Sequence, residues 1–144
     1  MPASPDPVAS GSVAPAAVAR SPFEYAIVRV IPRVERGEAF NAGIVLMCRP
    51  RRYLGARTLL DASLLAAMAP ECDAEAVRDH LVAIERVAAG DPDAGPIARL
   101  SMPERFHWLV SPSSTIIAAS VVHTGLTADP AATLDHLFRT LVER

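Results

Sequence analysis

The stretch from Phe23 to Arg49, FEYAIVRVIPRVERGEAFNAGIVLMCR, constrains the fold more than any other part of the chain. Residues 23–32 and 39–48 alternate in side-chain character and are rich in Val and Ile, and a short charged loop containing Gly37 joins them. This pattern predicts two β-strands that pair as a hairpin. Both faces of the second strand are largely apolar, so we expect it to lie in the centre of a sheet.

Three polar residues interrupt this hairpin. Arg29 shares a face of the first strand with Tyr25 and Ile27, Glu38 closes the loop, and Asn41 lies early in the second strand. A polar group inside a strand destabilises the fold unless it finds a partner, so each of the three needs a structural or functional reason. An unbroken alternation puts five residues on one face of the second strand: Phe40, Ala42, Ile44, Leu46 and Cys48.

The remaining chain adds strands at Tyr53–Leu59 and at Ser114–His123, the latter rich in Ile, Val and Thr. Three aspartates, Asp61, Asp73 and Asp129, stand where helix N-caps are expected. The order of elements predicts an α+β fold in which an antiparallel sheet of about four strands packs against two to three helices.

The helix ends carry their own signals. Gly90 is placed to stop the helix that follows Asp73, and Pro130 is placed as the first residue of the last helix. Phe106 and Trp108 lie two residues apart outside these predicted elements. A surface pair of aromatic residues could anchor a partner or stack a base, but because the chain has only seven aromatic residues (5%), we expect both to serve the core.

Length and composition indicate one globular domain. The 144 residues are 51% hydrophobic and 21% charged, which is enough for a packed core. Residues 1–22 contain five prolines and little charge, which predicts a flexible tail before a single domain at 23–144. No apolar run reaches the length of a membrane helix. The two cysteines lack metal or redox spacing, which favours a reduced cytoplasmic protein without metal or cofactor.

Charge is segregated along the chain. Residues 29–57 contain seven Arg and two Glu, whereas residues 58–96 contain two Arg and eight acidic residues. An Arg-rich segment attracts anionic ligands or an acidic partner. Alternatively, the two segments neutralise each other within the fold. The net charge of −2 argues against a dedicated nucleic-acid binder.

Two segments, YAIVRVIPRVERGEAFNAGIVL and FHWLVSPSSTIIAASVVHTGLTADPAATLDHLF, resemble an uncharacterised bacterial family, domain of unknown function 3037. The resemblance extends over nearly all of 23–144. Relatives often have Arg where this chain has Ser113, and Gln-Pro where it has Ala118-Ala119. The residues that carry the resemblance are Arg29, Pro32, Arg36, Gly37, Glu38, Asn41, Gly43, Trp108, Pro112, Ser114, Thr115, Ser120, His123, Gly125, Asp129 and Pro130. The resemblance implies no activity, but it implies a kinase-like gene neighbour of the HipA type, as in a paired toxin–antitoxin or defence system.

The candidate site residues each have two interpretations. Arg29 could hold a phosphate or carboxylate, or form an internal pair with Glu38. Glu38 and His123 are candidates for acid–base chemistry, although His123 could equally be a turn residue bonded to backbone. Asn41 could contact a ligand or satisfy backbone groups at the strand start. Arg36, Ser114 and Thr115 complete the candidate ligand- or partner-binding set.

Three hypotheses follow. The first is a small cytoplasmic binding or regulatory protein, not an enzyme, that works with a kinase-like partner through a face combining the polar hairpin residues with the late strand. The second is a phosphate-ester hydrolase or nuclease-like enzyme using Glu38 and His123 around a phosphate on Arg29, which requires them within roughly 4–8 Å. The third is nucleic-acid binding through the Arg-rich segment 29–57.

Overall fold

A computed structural model of the chain describes residues 19–112 and 115–144. Its strands are β1 (Ser21–Val30), β2 (Phe40–Cys48), β3 (Tyr53–Thr58), β4 (Ile117–Ala119) and β5 (His123–Thr127). Its helices are α1 (Ala62–Met68), α2 (Ala74–Ala89), α3 (Met102–Val110) and α4 (Pro130–Leu141). The strands form one antiparallel sheet in the order β3-β2-β1-β4, and β5 also pairs with β1. The predicted α+β fold and its opening hairpin are confirmed.

The predicted helix starts are confirmed. The carboxylates of Asp61, Asp73 and Asp129 accept hydrogen bonds from backbone N–H groups in the first turns of α1, α2 and α4. Gly90 ends α2 in the left-handed conformation (φ 72°), which glycine adopts without steric cost. Capping of this kind satisfies N–H and C=O groups that a helix end leaves without a partner.

Helix α3 was not among the predicted elements. It begins with a capping box, in which Ser101 and Glu104 each accept a hydrogen bond from the backbone N–H of the other. Phe106 points into the core and is 4% exposed, as expected, but Trp108 is 50% exposed. Assigning Trp108 to the core was therefore wrong: the helical turn of about 100° per residue sends two residues spaced by two to different sides.

A β-bulge breaks the alternation in β2. Val28 of β1 pairs with Gly43, but the next residue, Arg29, pairs with Asn41, so that Ala42 is the extra residue. The bulge reverses the facing of the strand at this point. Phe40 and Ala42 therefore pack in the same cluster as Val45 and Met47, and grouping them on one face with Ile44 was wrong.

The late strand is also interrupted. The predicted single strand Ser114–His123 is two strands: β4 pairs with residues 28–30 of β1, and β5 pairs with residues 21–25. Between them the chain bulges at residues 120–122. There the hydroxyl of Ser120 accepts a hydrogen bond from the backbone N–H of Ile27 (2.9 Å), and the Ser120 N–H donates to the carbonyl of Ile27 (2.8 Å). His123 therefore begins a strand rather than ending one.

Helices cover the two faces of the sheet unequally. Helices α1, α2 and α3 pack on one face around a cluster that includes Leu65, Leu81 and Phe106. Helix α4 packs alone on the other face, where Leu134 and Phe138 contact the second cluster. Within the part of the chain that the structure describes, no helix is both long and apolar enough to cross a membrane.

Candidate functional site

The central strand β1 brings together the two segments that carry the family resemblance, the opening hairpin and the late segment that begins at Phe106. Its one edge pairs with β2, and its other edge pairs first with β5 and then with β4. As a result, Arg29 lies between Asn41 of β2 and Ala118 of β4, and Tyr25 lies opposite His123 of β5. Residues of the opening hairpin and of the late segment thus share one surface of the sheet.

This surface is only half covered. Helix α4 lies over β2 and β3, where it buries Ile44, Leu46 and Cys48. Helix α4 covers β1 less completely. Tyr25 and Ile27 are partly buried, while Arg29 and His123 are exposed. We call the surface formed by Tyr25, Ile27, Arg29 and His123 the open face. Alternate residues of a strand line one face, so its three β1 residues span about 13 Å.

Arg29 stands on the open face without a partner. Among the described residues it makes no hydrogen bond or ion pair, and neither of its cross-strand neighbours, Asn41 and Ala118, carries a negative charge. The internal pair with Glu38, one of the two interpretations of Arg29, does not form, because Glu38 bonds to Arg36 instead. A guanidinium presents five N–H donors in a planar fork, which suits a carboxylate or phosphate.

Arg36 and Glu38 neutralise each other in the loop between β1 and β2. The Arg36 guanidinium donates from Nε to Oε1 (2.8 Å) and from Nη2 to Oε2 (3.2 Å) of Glu38. Gly37 between them adopts a left-handed conformation (φ 71°). The hydrogen bonds and charge of Arg36 lower the pKa of the Glu38 carboxyl. Both side chains are more than half exposed, so the pair contributes little to stability.

Asn41 has a structural task. Its side-chain Nδ2 donates a hydrogen bond to the carbonyl oxygen of Leu141 (3.0 Å), at the last turn of α4. Such carbonyl groups lack partners within the helix. Asn41 therefore ties the end of α4 to the sheet rather than satisfying groups of its own strand.

His123 belongs to a row of aromatic rings. Its imidazole centroid lies 5.1 Å from that of Tyr25, which in turn stacks at 6.1 Å on Phe23. Glu38 is far from this row. Tyr25, which pairs with His123, and Val30, next to the loop that carries Glu38, are five residues or about 16 Å apart along β1. The structure does not bring Glu38 and His123 within reach of one proton.

The remaining two predicted site residues, Ser114 and Thr115, are not part of the open face as defined above. The Thr115 hydroxyl donates to the carbonyl of Ile117 (2.7 Å), two residues along the chain. Ser114 lies outside the described residues. Across 19–112 and 115–144, no three His, Cys, Asp or Glu side chains are grouped as metal ligands would be.

The basic segment 29–57 and the acidic segment 58–96 form few ion pairs with each other among the described residues. Arg33 of the basic segment forms an ion pair with Glu71 of the acidic one (3.0 Å), but Arg57 pairs with Asp135 of α4. The expected mutual neutralisation therefore accounts for Arg33, and other arginines of the basic segment are satisfied locally or remain exposed.

Trp108 is a surface residue and not the core residue that the sequence predicts. It stands on α3 between two hollows, of about 390 Å³ and 420 Å³, and contributes to the wall of both. The first hollow is lined by apolar side chains such as Ile84 and Leu109, and the second by Leu100 and Pro103. The Ser101–Glu104 capping box was the signal that could have identified α3, and a helix there would have put Phe106 and Trp108 on different sides.

Comparison with known proteins gives one result. No curated protein and no solved structure matches the chain. The family described as "Protein of unknown function (DUF3037)" matches residues 25–142, from within β1 to just past the end of α4, and the chain therefore belongs to this family.

Proposed function

We propose that the chain is a binding protein that docks on a kinase-like protein of the HipA type through the open face. The observation that carries this proposal is Arg29, an exposed cation without a partner in the middle of a sheet surface. The choice of partner is supported by the resemblance of the two family-like segments, since members of this family are expected to be encoded beside such a kinase-like protein.

The composition of the open face suits a protein contact. Tyr and Arg are enriched among the residues that contribute most to protein–protein binding, and here Tyr25 and Arg29 lie on one strand face with Ile27 between them. The sheet holds the backbone of these residues in place, so that little backbone entropy is lost on binding. The unpaired guanidinium calls for an acidic side chain on the partner, placed to accept two parallel hydrogen bonds.

The experiment is co-expression of the full chain with the kinase-like protein encoded beside it, followed by purification and measurement of the dissociation constant. We expect a complex whose affinity falls about 30-fold with Arg29→Ala, which corresponds to about 2 kcal/mol for loss of a central Arg contact. Arg29→Lys should lie in between, because an ammonium keeps the charge but loses the bidentate geometry.

Arg78→Ala is the matched control. Arg78 is an exposed arginine on α2, whose buried residues pack on the opposite face of the sheet. Its removal should leave the affinity unchanged. A wild-type chain that forms no complex, or an Arg29→Ala variant that binds as tightly as the Arg78→Ala variant, would refute the proposal.

A further inference from the structure

The two edges of the sheet differ in how they are protected. At the β3 edge, the Glu85 carboxylate accepts hydrogen bonds from the backbone N–H (2.8 Å) and hydroxyl (2.9 Å) of Thr58, and Arg57 forms an ion pair with Asp135. Charges and covering groups of this kind keep an edge strand from pairing with another chain.

The β5 edge has no such protection among the described residues. Strand β5 pairs with β1 on one side only, and no described backbone group bonds to its outer side. Residues 106–128 contain no Asp, Glu, Lys or Arg. Apolar side chains are exposed here: Val121 is 74% exposed in the bulge before β5, and Leu126 is 63% exposed within it.

We propose that this edge pairs with β5 of a second copy of the chain, antiparallel and about a two-fold axis. A two-fold contact uses the same surface of both copies. A charged side chain near the axis would therefore lie close to the identical charged side chain of the other copy. The uncharged stretch 106–128 meets this requirement, whereas the Arg-bearing β3 edge does not. With the axis at Gly125, Thr124 of one copy lies opposite Leu126 of the other, and the five strands of each copy join in one continuous sheet.

This proposal does not depend on the kinase-like partner, and it is tested on the chain alone. The mass of the purified full chain in solution, measured by light scattering over a range of concentrations, should be twice that of a monomer. Leu126→Arg should weaken the dimer at least about tenfold, because the two-fold axis places two like charges in the contact. Val82→Arg is the control, since Val82 is a 47% exposed apolar residue on α2, and it should leave the dimer intact.

The register is tested by cross-linking. A chain with Thr124→Cys and Leu126→Cys, in a Cys72→Ser background, should form a disulfide-linked dimer on mild oxidation. Gly125 itself is unsuitable, because an added Cβ would lie 2.7 Å from the Phe23 ring. The single variant Thr124→Cys in the same background should cross-link far less, since its thiol faces Leu126 rather than another thiol.

Two results would overturn the proposal. The first is a full chain that is monomeric at every concentration. The second is a dimer whose dissociation constant is the same in the Leu126→Arg variant as in the Val82→Arg variant.

Discussion

The two halves of the sheet are built differently. In β2 eight of nine residues are buried, because helices pack on both of its faces, whereas in β5 one residue of five is buried. Strand β2 contains four of the largest fully buried side chains, Ile44, Val45, Leu46 and Cys48, whereas β5 contains none. The half formed by β1, β4 and β5 carries the open face and the unprotected edge. A domain that buries the strand β2 from both sides retains a stable scaffold while it presents the β5 side of the sheet to partners.

The largest expected difference between the two halves is the loss of unfolding free energy when an apolar side chain is truncated. Leu46→Ala, at a fully buried position against α4, should lower the free energy of unfolding by about 3 kcal/mol, through lost transfer free energy and the cavity left behind. Ile27→Ala on the open face should lower it by about half as much or less, because Ile27 is already partly solvated. Urea denaturation of both variants measures the difference. Equal losses would mean that the open face is as much a part of the core as β2.

Glycine substitutions should give a smaller contrast. A Cβ at Gly43 would lie 2.8 Å from the backbone carbonyl oxygen of Arg57, whereas a Cβ at Gly125 would lie 2.7 Å from atoms of the Phe23 side chain. Strand backbone in the covered half cannot move easily, but a side chain can turn. Gly43→Ala should therefore cost about 2 kcal/mol of unfolding free energy and Gly125→Ala about 1 kcal/mol. The reverse order in urea denaturation would contradict this assignment of rigidity.

The smallest effect concerns the charge of Glu38. NMR titration should find its pKa below the ordinary value for Glu, and Arg36→Ala should raise it, because Arg36 supplies the hydrogen bonds and charge that lower it. Since the folded-state pKa is lowered, any stabilisation is present above the unfolded pKa and is lost as the pH falls through the folded one. Arg29→Ala should leave the pKa of Glu38 unchanged. A shift in that variant would show that Arg29 is paired with Glu38 and not free on the open face.

Local signals in the sequence predicted much of the fold. The alternating pattern of residues 23–32 and 39–48 identified β1 and β2, and Asp61, Asp73 and Asp129 marked helix starts that the structure confirms. These features depend on side chains that bond to their own neighbouring backbone, so that short stretches of sequence determine them.

The candidate site was harder to predict because it depends on pairings between distant segments. The sequence indicated both Arg29 and His123 as candidate site residues. It could not show that the pairing of β5 with β1 places His123 opposite Tyr25, or that Glu38 forms an ion pair with Arg36. The exposure of Trp108 was missed for a similar reason, since it depends on which side of α3 faces the sheet. Residues that come together only through strand pairing lie far apart in the sequence, so no local sequence pattern reveals that they share a surface.

The sequence by itself determined the α+β class, the hairpin and the helix caps, because hydrophobic periodicity and capping act over a few residues. Only the tertiary structure decided where the strands bulge, which half of the sheet α4 covers, and which edge stays unprotected. These features arise because β1 must pair with β2 on one edge and with β4 and β5 on the other, and one helix is too narrow to cover five strands.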